Sequence, residues 1–208
     1  MKNKVNEPKE VRAIIKIRRL VFCLLLLPSL VCFAAETPDL EEKLTDLGLY
    51  VTAEEAYEMK LIANEDVLFV DVRTRAELAF LGMTNMVDVN IPYMLAGDWD
   101  EWDDSKNNFK FFPNSNFLPY FEEYINAHHY TKNSKIILIC RSGNRSAAAA
   151  NLLAKVKYTR VYSVVDGFEG NKSTQTDNNQ GGRTVNGWKN KGLPWSYQLD
   201  EGKMYMEF

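Results

Sequence analysis

Two near-continuous apolar runs of strand length, Val67–Val72 (VLFVDV) and Lys135–Cys140 (KIILIC), organise the chain. Such runs suit strands buried on both faces of a parallel sheet rather than half-exposed ones, whose residues would alternate. Val87–Ile91, ended by Pro92, and Val161–Val165 read as two more strands. Between them lie helical patterns. Thr52-Ala53-Glu54-Glu55 has the capping-box form, and the segment after it puts Ala56, Met59 and Ile62 or Ala63 on one face. Arg73–Leu81 is a short helix. Asn116–His129 starts from Asn116 as N-cap, with Phe117, Leu118, Phe121, Tyr124 and Ile125 on its apolar side, and Ser146–Val156 is a third strong helix. Strands alternating with helices predict an α/β fold: a mostly parallel central sheet flanked by helices on both faces.

Two stretches break the pattern. Residues 96–115 are aromatic, acidic and aperiodic, and 171–187 are polar and rich in Gly and Asn, so both are expected as insertions, the second mobile. The first holds Trp99, Trp102, Phe109, Phe111 and Phe112. It either docks a partner or shades a site, as exposed aromatics often do, or folds back and buries its rings. Residues 35–51 read as a short helix or linker, 52–200 as one domain, and 201–208 as a tail. A chain of 208 residues fits one domain with a real core.

Charge is unevenly placed. Residues 1–34 carry seven Lys and Arg and two Glu, which leaves 18 basic against 26 acidic side chains in the remainder. So acidic a body offers no evident basic face for nucleic acid or anionic lipid. The basic stretch Arg12–Arg19 precedes an uncharged run of 16 residues, Leu20–Ala35, and ends in small residues. That is the layout of a secretory signal peptide, cleaved after Ala34, and it predicts a periplasmic or secreted protein. The alternative is an uncleaved anchor facing the periplasm, although the run falls short of the about 20 residues that span a bilayer. Val31 before Cys32 is bulky for a lipid-anchor site. With Cys23 and Cys32 inside the leader, the mature chain keeps a lone thiol, Cys140, and neither a disulfide framework nor a metal site is expected.

Cys140-Arg141-Ser142-Gly143-Asn144-Arg145 joins a buried strand to a helix N-terminus. A tight turn there leaves backbone N–H groups converging on one spot, and with the helix dipole they favour an anion. A thiolate is such an anion. Arg141 and Arg145 add positive charge, and Gly143 permits the positive φ that a tight anion-binding turn requires.

CRSGNR, between KIILI and SAAAANLL, resembles the active-site loop of single-domain rhodaneses, the thiosulfate sulfurtransferase-like family. VLFVDVRTRAEL resembles the family's first strand and Asp-Val-Arg element, VNIPY its Asn-Ile-Pro edge, and VVDGFEG with GWKNKGLPW its C-terminal region, here split by an insertion. The likeness runs from about Thr52 to Trp195. It implies transfer of sulfane sulfur through a Cys140 persulfide, from a small anionic donor such as thiosulfate to a thiol or cyanide, with no cofactor and no metal. Arg141, Ser142, Gly143, Asn144 and Arg145 would form the substrate loop, Arg141 contacting the donor and Arg145 bracing the loop. Asp71, Arg73 and Ser146 would give structural support, Ser146 as a helix cap. Where many family members read Gly-His-Ile, this chain has Leu81-Gly82-Met83 and lacks the His.

Other readings stay open at this level. A persulfide carrier, or a non-catalytic module binding a partner, shares much of the pattern. Cys-based phosphatases and arsenate reductases place five residues between nucleophile and Arg, and here four separate Cys140 from Arg145. Glu77 is expected to pair with a local Arg on the exposed side of its helix, and His128 and His129 to sit at a helix C-terminus, where positive charge is favoured.

Overall fold

The apolar runs become the two central strands of a five-stranded, all-parallel sheet. The computed structural model describes residues 35–97, 101–173 and 181–206. In chain order its elements are β1 (Tyr50–Val51), α1 (Ala53–Ala63), β2 (Val67–Asp71), α2 (Arg75–Leu81), β3 (Val89–Asn90), β4 (Met94–Ala96), β5 (Trp102–Asp103), β6 (Asn108–Phe109), β7 (Phe111–Pro113), α3 (Phe117–Ala127), β8 (Lys135–Ile139), α4 (Asn144–Lys155), β9 (Val161–Val164), β10 (Asn171–Lys172) and β11 (Arg183–Val185). The sheet order is β1-β9-β8-β2-β3.

Both faces of the sheet are covered, which explains the lack of alternation in β2 and β8. Leu68, Val70, Ile136, Leu138 and Cys140 pack with Phe117, Phe121 and Ile125 of α3 and Ala149, Ala150 and Leu153 of α4. Val67, Phe69, Ile137 and Ile139 face the other way, onto Ala53, Ala56 and Met59 of α1, Leu78 of α2, Phe168 and Trp188. Trp188 is fully buried, stacks edge-on against Tyr57, and donates its indole N–H to Pro194 O at 2.9 Å.

Several expectations change. Ile62 is exposed, and α1 instead buries Lys60 beside Met59 because its ammonium donates to Val67 O and Asp88. Residues 35–51 contribute β1, which pairs with β9 and closes one edge of the sheet. Residues 96–115 are no plain loop: β4 pairs with β7, and β5 with β6, so their described part forms an antiparallel arm. On it Trp102, Phe109, Phe111 and Phe112 stay largely exposed, while Trp99 lies outside the described residues. In 171–187, β10 pairs with β11 across the stretch 174–180, which is also outside them. Asn116 makes no cap hydrogen bond; Asn114 accepts from the Asn116 amide instead and holds Pro92 O with its own. The 201–206 segment packs on the body, with Tyr205 buried against Tyr120. The predicted leader, residues 1–34, lies outside the described residues. Among those described, no helix is long and apolar enough to cross a membrane.

Candidate active site

Asp71, Ile139 and Val164 end their strands on one edge of the sheet: Asp71 pairs with Ile139, and Val164 follows Ser163, the partner of Leu138. This carboxyl edge is where open parallel sheets place their sites. The chain passes from β8 directly into Cys140, whose carbonyl and that of Arg141 accept from the Phe168 and Glu169 amides at 2.8 and 3.0 Å. The segment after β9 therefore runs alongside the loop and fixes its outer wall.

Cys140 is buried, 1% exposed. Its sulfur accepts from the Gly143 amide at 3.1 Å, and the Ser146 hydroxyl stands 3.5 Å away. Gly143 takes φ 102°, in the left-handed region, and serves as N-cap of α4 without a capping side chain. The loop amides from about Arg141 to Arg145 are expected to stabilise a persulfide anion on Cys140. Among the described residues the Gly143 amide donates to the Cys140 sulfur, and Cys140 packs with Ala149 and Ala150 of α4. First-turn amides of a helix have no intrahelical carbonyl to meet, so the loop keeps further donors for an anion bound beyond the thiol.

Ser146 is not the cap foreseen. It sits in the first turn of α4, donates its hydroxyl to Gly143 O at 2.9 Å and accepts from Ser163 at 2.9 Å. With its single proton on Gly143 O, Ser146 can only accept from a protonated Cys140.

The two loop arginines are both engaged. Arg145 makes a bidentate pair with Glu77, 2.6 Å on each side and largely buried. Glu77 belongs to a second capping box, with Thr74, at the start of α2. It thus ties α2 to the loop, from far off in sequence, instead of pairing locally on an exposed face. Burial would raise its carboxyl pKa, but the hydrogen bonds and charge of Arg145 outweigh that and hold it below the usual value. A carboxylate with a depressed folded pKa stabilises above its unfolded value, near 4.5, and loses that contribution as pH falls through the folded one. Glu77→Gln should therefore cost roughly 2 kcal/mol at pH 7, with the gap to the parent narrowing below about pH 4. Urea unfolding at both pH values measures it; equal gaps would contradict the assignment.

Arg141 is half-exposed and pairs through Nε with Glu169, two residues past Gly167. Ser142 and Asn144 line the mouth beside it. Asp71 and Arg73 lie beneath the site, both fully buried: Arg73 Nε and Nη2 grip the Asp71 carboxylate at 2.6–3.0 Å, Nη2 also reaches Gly82 O, and the guanidinium lies 3.9 Å from the Phe168 ring centroid. Asn90 of the Asn-Ile-Pro edge donates to the carbonyls of Asp71 and Arg73. These residues hold the edge together and do not face the cleft.

Two cations escaped the sequence reading. Lys43 is buried under the loop, donating to Val165 O at 2.8 Å and Asn171 Oδ1 at 2.7 Å. Burial lowers its pKa, opposed by Cys140 and Asp166. The Asp166 carboxyl, its pKa raised by burial, accepts from the Ala53 and Gly187 amides. The second cation is Arg183 on β11. The only signal for either was charge inside a segment lacking periodicity. His128 stacks on Tyr124 and its ring meets Tyr124 O, at the far end of α3. Among the described residues no group of His, Cys, Asp and Glu is arranged to hold a metal ion.

Above the loop opens a cleft of about 680 Å³. The arm supplies one wall through Met94, Phe109 and Phe111, and the loop and Arg183 supply the other.

Residues 52–174 match the rhodanese-like domain. An uncharacterised protein of Rickettsia prowazekii is 34% identical over 147 residues, 71% of this chain and 96% of its own length. The crystal structure of Rv0390 from M. tuberculosis superposes with a TM-score of 0.52 at 30% identity, covering 71% of this chain and 96% of the other. Thiosulfate sulfurtransferase GlpE of Tolumonas auensis is 40% identical over 53 residues, 26% of this chain and 45% of its own. The helix-flanked parallel sheet, the Cys140 loop at its carboxyl edge and the domain match agree: the chain belongs to the rhodanese-like domain family.

Proposed function

We propose that the protein is a sulfurtransferase that carries sulfane sulfur as a persulfide on Cys140. The observation that carries this reading is the placement of the Cys140 sulfur at the N-terminus of α4, on the amide of a left-handed Gly143. With thiosulfate, the thiolate attacks the outer sulfur, a Cys140 S–S bond forms, the donor's S–S bond breaks, and sulfite leaves with the electron pair. The persulfide anion is stabilised by the loop donors and the helix dipole. An acceptor thiolate then attacks the outer sulfur and returns Cys140 as thiolate. The reading draws on family membership and on the short GlpE likeness.

One observation favours sulfur over phosphate. Arg145 commits both terminal nitrogens to Glu77, so it is not poised to grip a tetrahedral oxyanion as a phosphatase arginine would. The basic and then apolar N-terminal residues support action outside the cytoplasm.

Intact mass spectrometry tests the proposal. After thiosulfate the protein should gain the mass of one sulfur atom, removed again by a thiol, and Cys140→Ser should gain nothing. A parent protein that takes up no sulfur from thiosulfate or from an organic persulfide overturns it.

A further inference from the structure

Four cations line the cleft above the loop: Lys106, Arg141, Arg145 and Arg183. Three have carboxylate partners, Asp103, Glu169 and Glu77 respectively. Arg183 has none among the described residues. It donates from Nη1 to Gly170 O at 2.9 Å, and its Nε is buried without a hydrogen-bond partner. An orphaned donor on a fixed charge is costly unless something supplies an acceptor. Its surroundings are unbalanced in the same sense: burial lowers the guanidinium pKa, the like charge of Arg141 lowers it further, and Glu169 and Cys140 pull the other way. Arg183 also lies outside the matched residues 52–174, on β11.

The volume adds a second constraint. About 680 Å³ is far more than a five-atom inorganic anion fills, and sits in the roughly 300–1,000 Å³ range of sites for small organic ligands. Beside these cations, Met94, Phe109 and Phe111 give the cleft an apolar lining. A ligand suited to this cleft carries sulfur at one end, a hydrocarbon stem, and an anionic group set away from the sulfur.

We propose that Arg183 is the specificity-determining residue for the sulfur donor, binding the carboxylate of a small organic persulfide whose stem lies on Phe109 and Phe111. This rests on the sulfur-transfer reading above. In the step, the Cys140 thiolate attacks the terminal sulfur of R–S–SH, a Cys140 S–S bond forms, the donor's S–S bond breaks, and R–S⁻ leaves with the electron pair.

The probes are N-acetylcysteine persulfide and its methyl ester, which differ by the one charge. Single-turnover loading of Cys140 is followed by mass spectrometry against donor concentration in the parent, Arg183→Gln and Arg183→Lys. The parent should half-saturate at a lower concentration of the acid than of the ester. Arg183→Gln should raise the value for the acid about 10-fold and leave the ester unchanged, and Arg183→Lys should recover part of the loss. Inhibition of thiosulfate loading by N-acetyl-S-methylcysteine, and not by its ester, supports carboxylate recognition in the parent alone, should a variant fail to fold, and equal inhibition by both overturns it. Equal use of acid and ester by the parent, or equal losses for both in Arg183→Gln, overturns the role of Arg183 and leaves sulfur transfer standing. A parent that loads from no donor overturns sulfur transfer itself.

Discussion

Arg73→Met will lower the free energy of unfolding by about 3–5 kcal/mol. Both partners of the Asp71–Arg73 pair are fully buried, and the variant strips the carboxylate of every side-chain donor that reaches it, leaving the Arg73 amide. Gly82 O loses its guanidinium contact, and the Phe168 ring loses the cation over its face. An isolated ion in such a place is dearer than the intact pair is favourable. The double variant Asp71→Leu, Arg73→Met should accordingly be less damaged than the single one. Chemical denaturation of the three proteins measures this; a single-variant loss under about 1 kcal/mol would show that the pair carries little of the edge.

Gly143→Ala is expected to cost about 2–3 kcal/mol and to abolish sulfur loading. At φ 102° any side chain is strained, and the added Cβ would clash with Val165 O, whose residue is held by Lys43 and by the Val51 carbonyl. Relief requires the turn to move, and the Gly143 amide that holds the Cys140 sulfur moves with it. Gly48→Ala is the control: φ is 62° but no atom lies within 4 Å of the added carbon. It should cost the strain alone, about 1 kcal/mol, and leave loading intact. Similar behaviour of the two variants in unfolding and in mass spectrometry would remove Gly143 from the argument.

The central strands were legible because burial on both faces writes itself as consecutive apolar residues, in VLFV and KIILI alike. The capping box at Thr52 was legible because its partners are three apart, and it forms as read. β1 was not: two residues that pair with β9 through backbone atoms leave little trace in side-chain pattern. The arm over 94–113 was hidden for a related reason. Its described rings stay partly exposed, so no face alternates, and its pairing is a backbone matter.

Around the loop the division is sharper. Cys140, the positive-φ glycine and the helix that follows are local, and a strand-turn-helix sequence with Gly at the bend announces them. Residue chemistry and short-range geometry were thus set by the order of amino acids alone. Which charges meet which was decided only by folding: Glu77 reaches Arg145 across 68 positions, Glu169 takes Arg141, and Lys43 lies beneath Val165. Charge pairing between distant segments depends on where the sheet carries them, and side-chain type says nothing of that distance. The same holds for Arg183, whose lack of a carboxylate among the described residues becomes visible once its neighbours in the cleft are seen to have theirs.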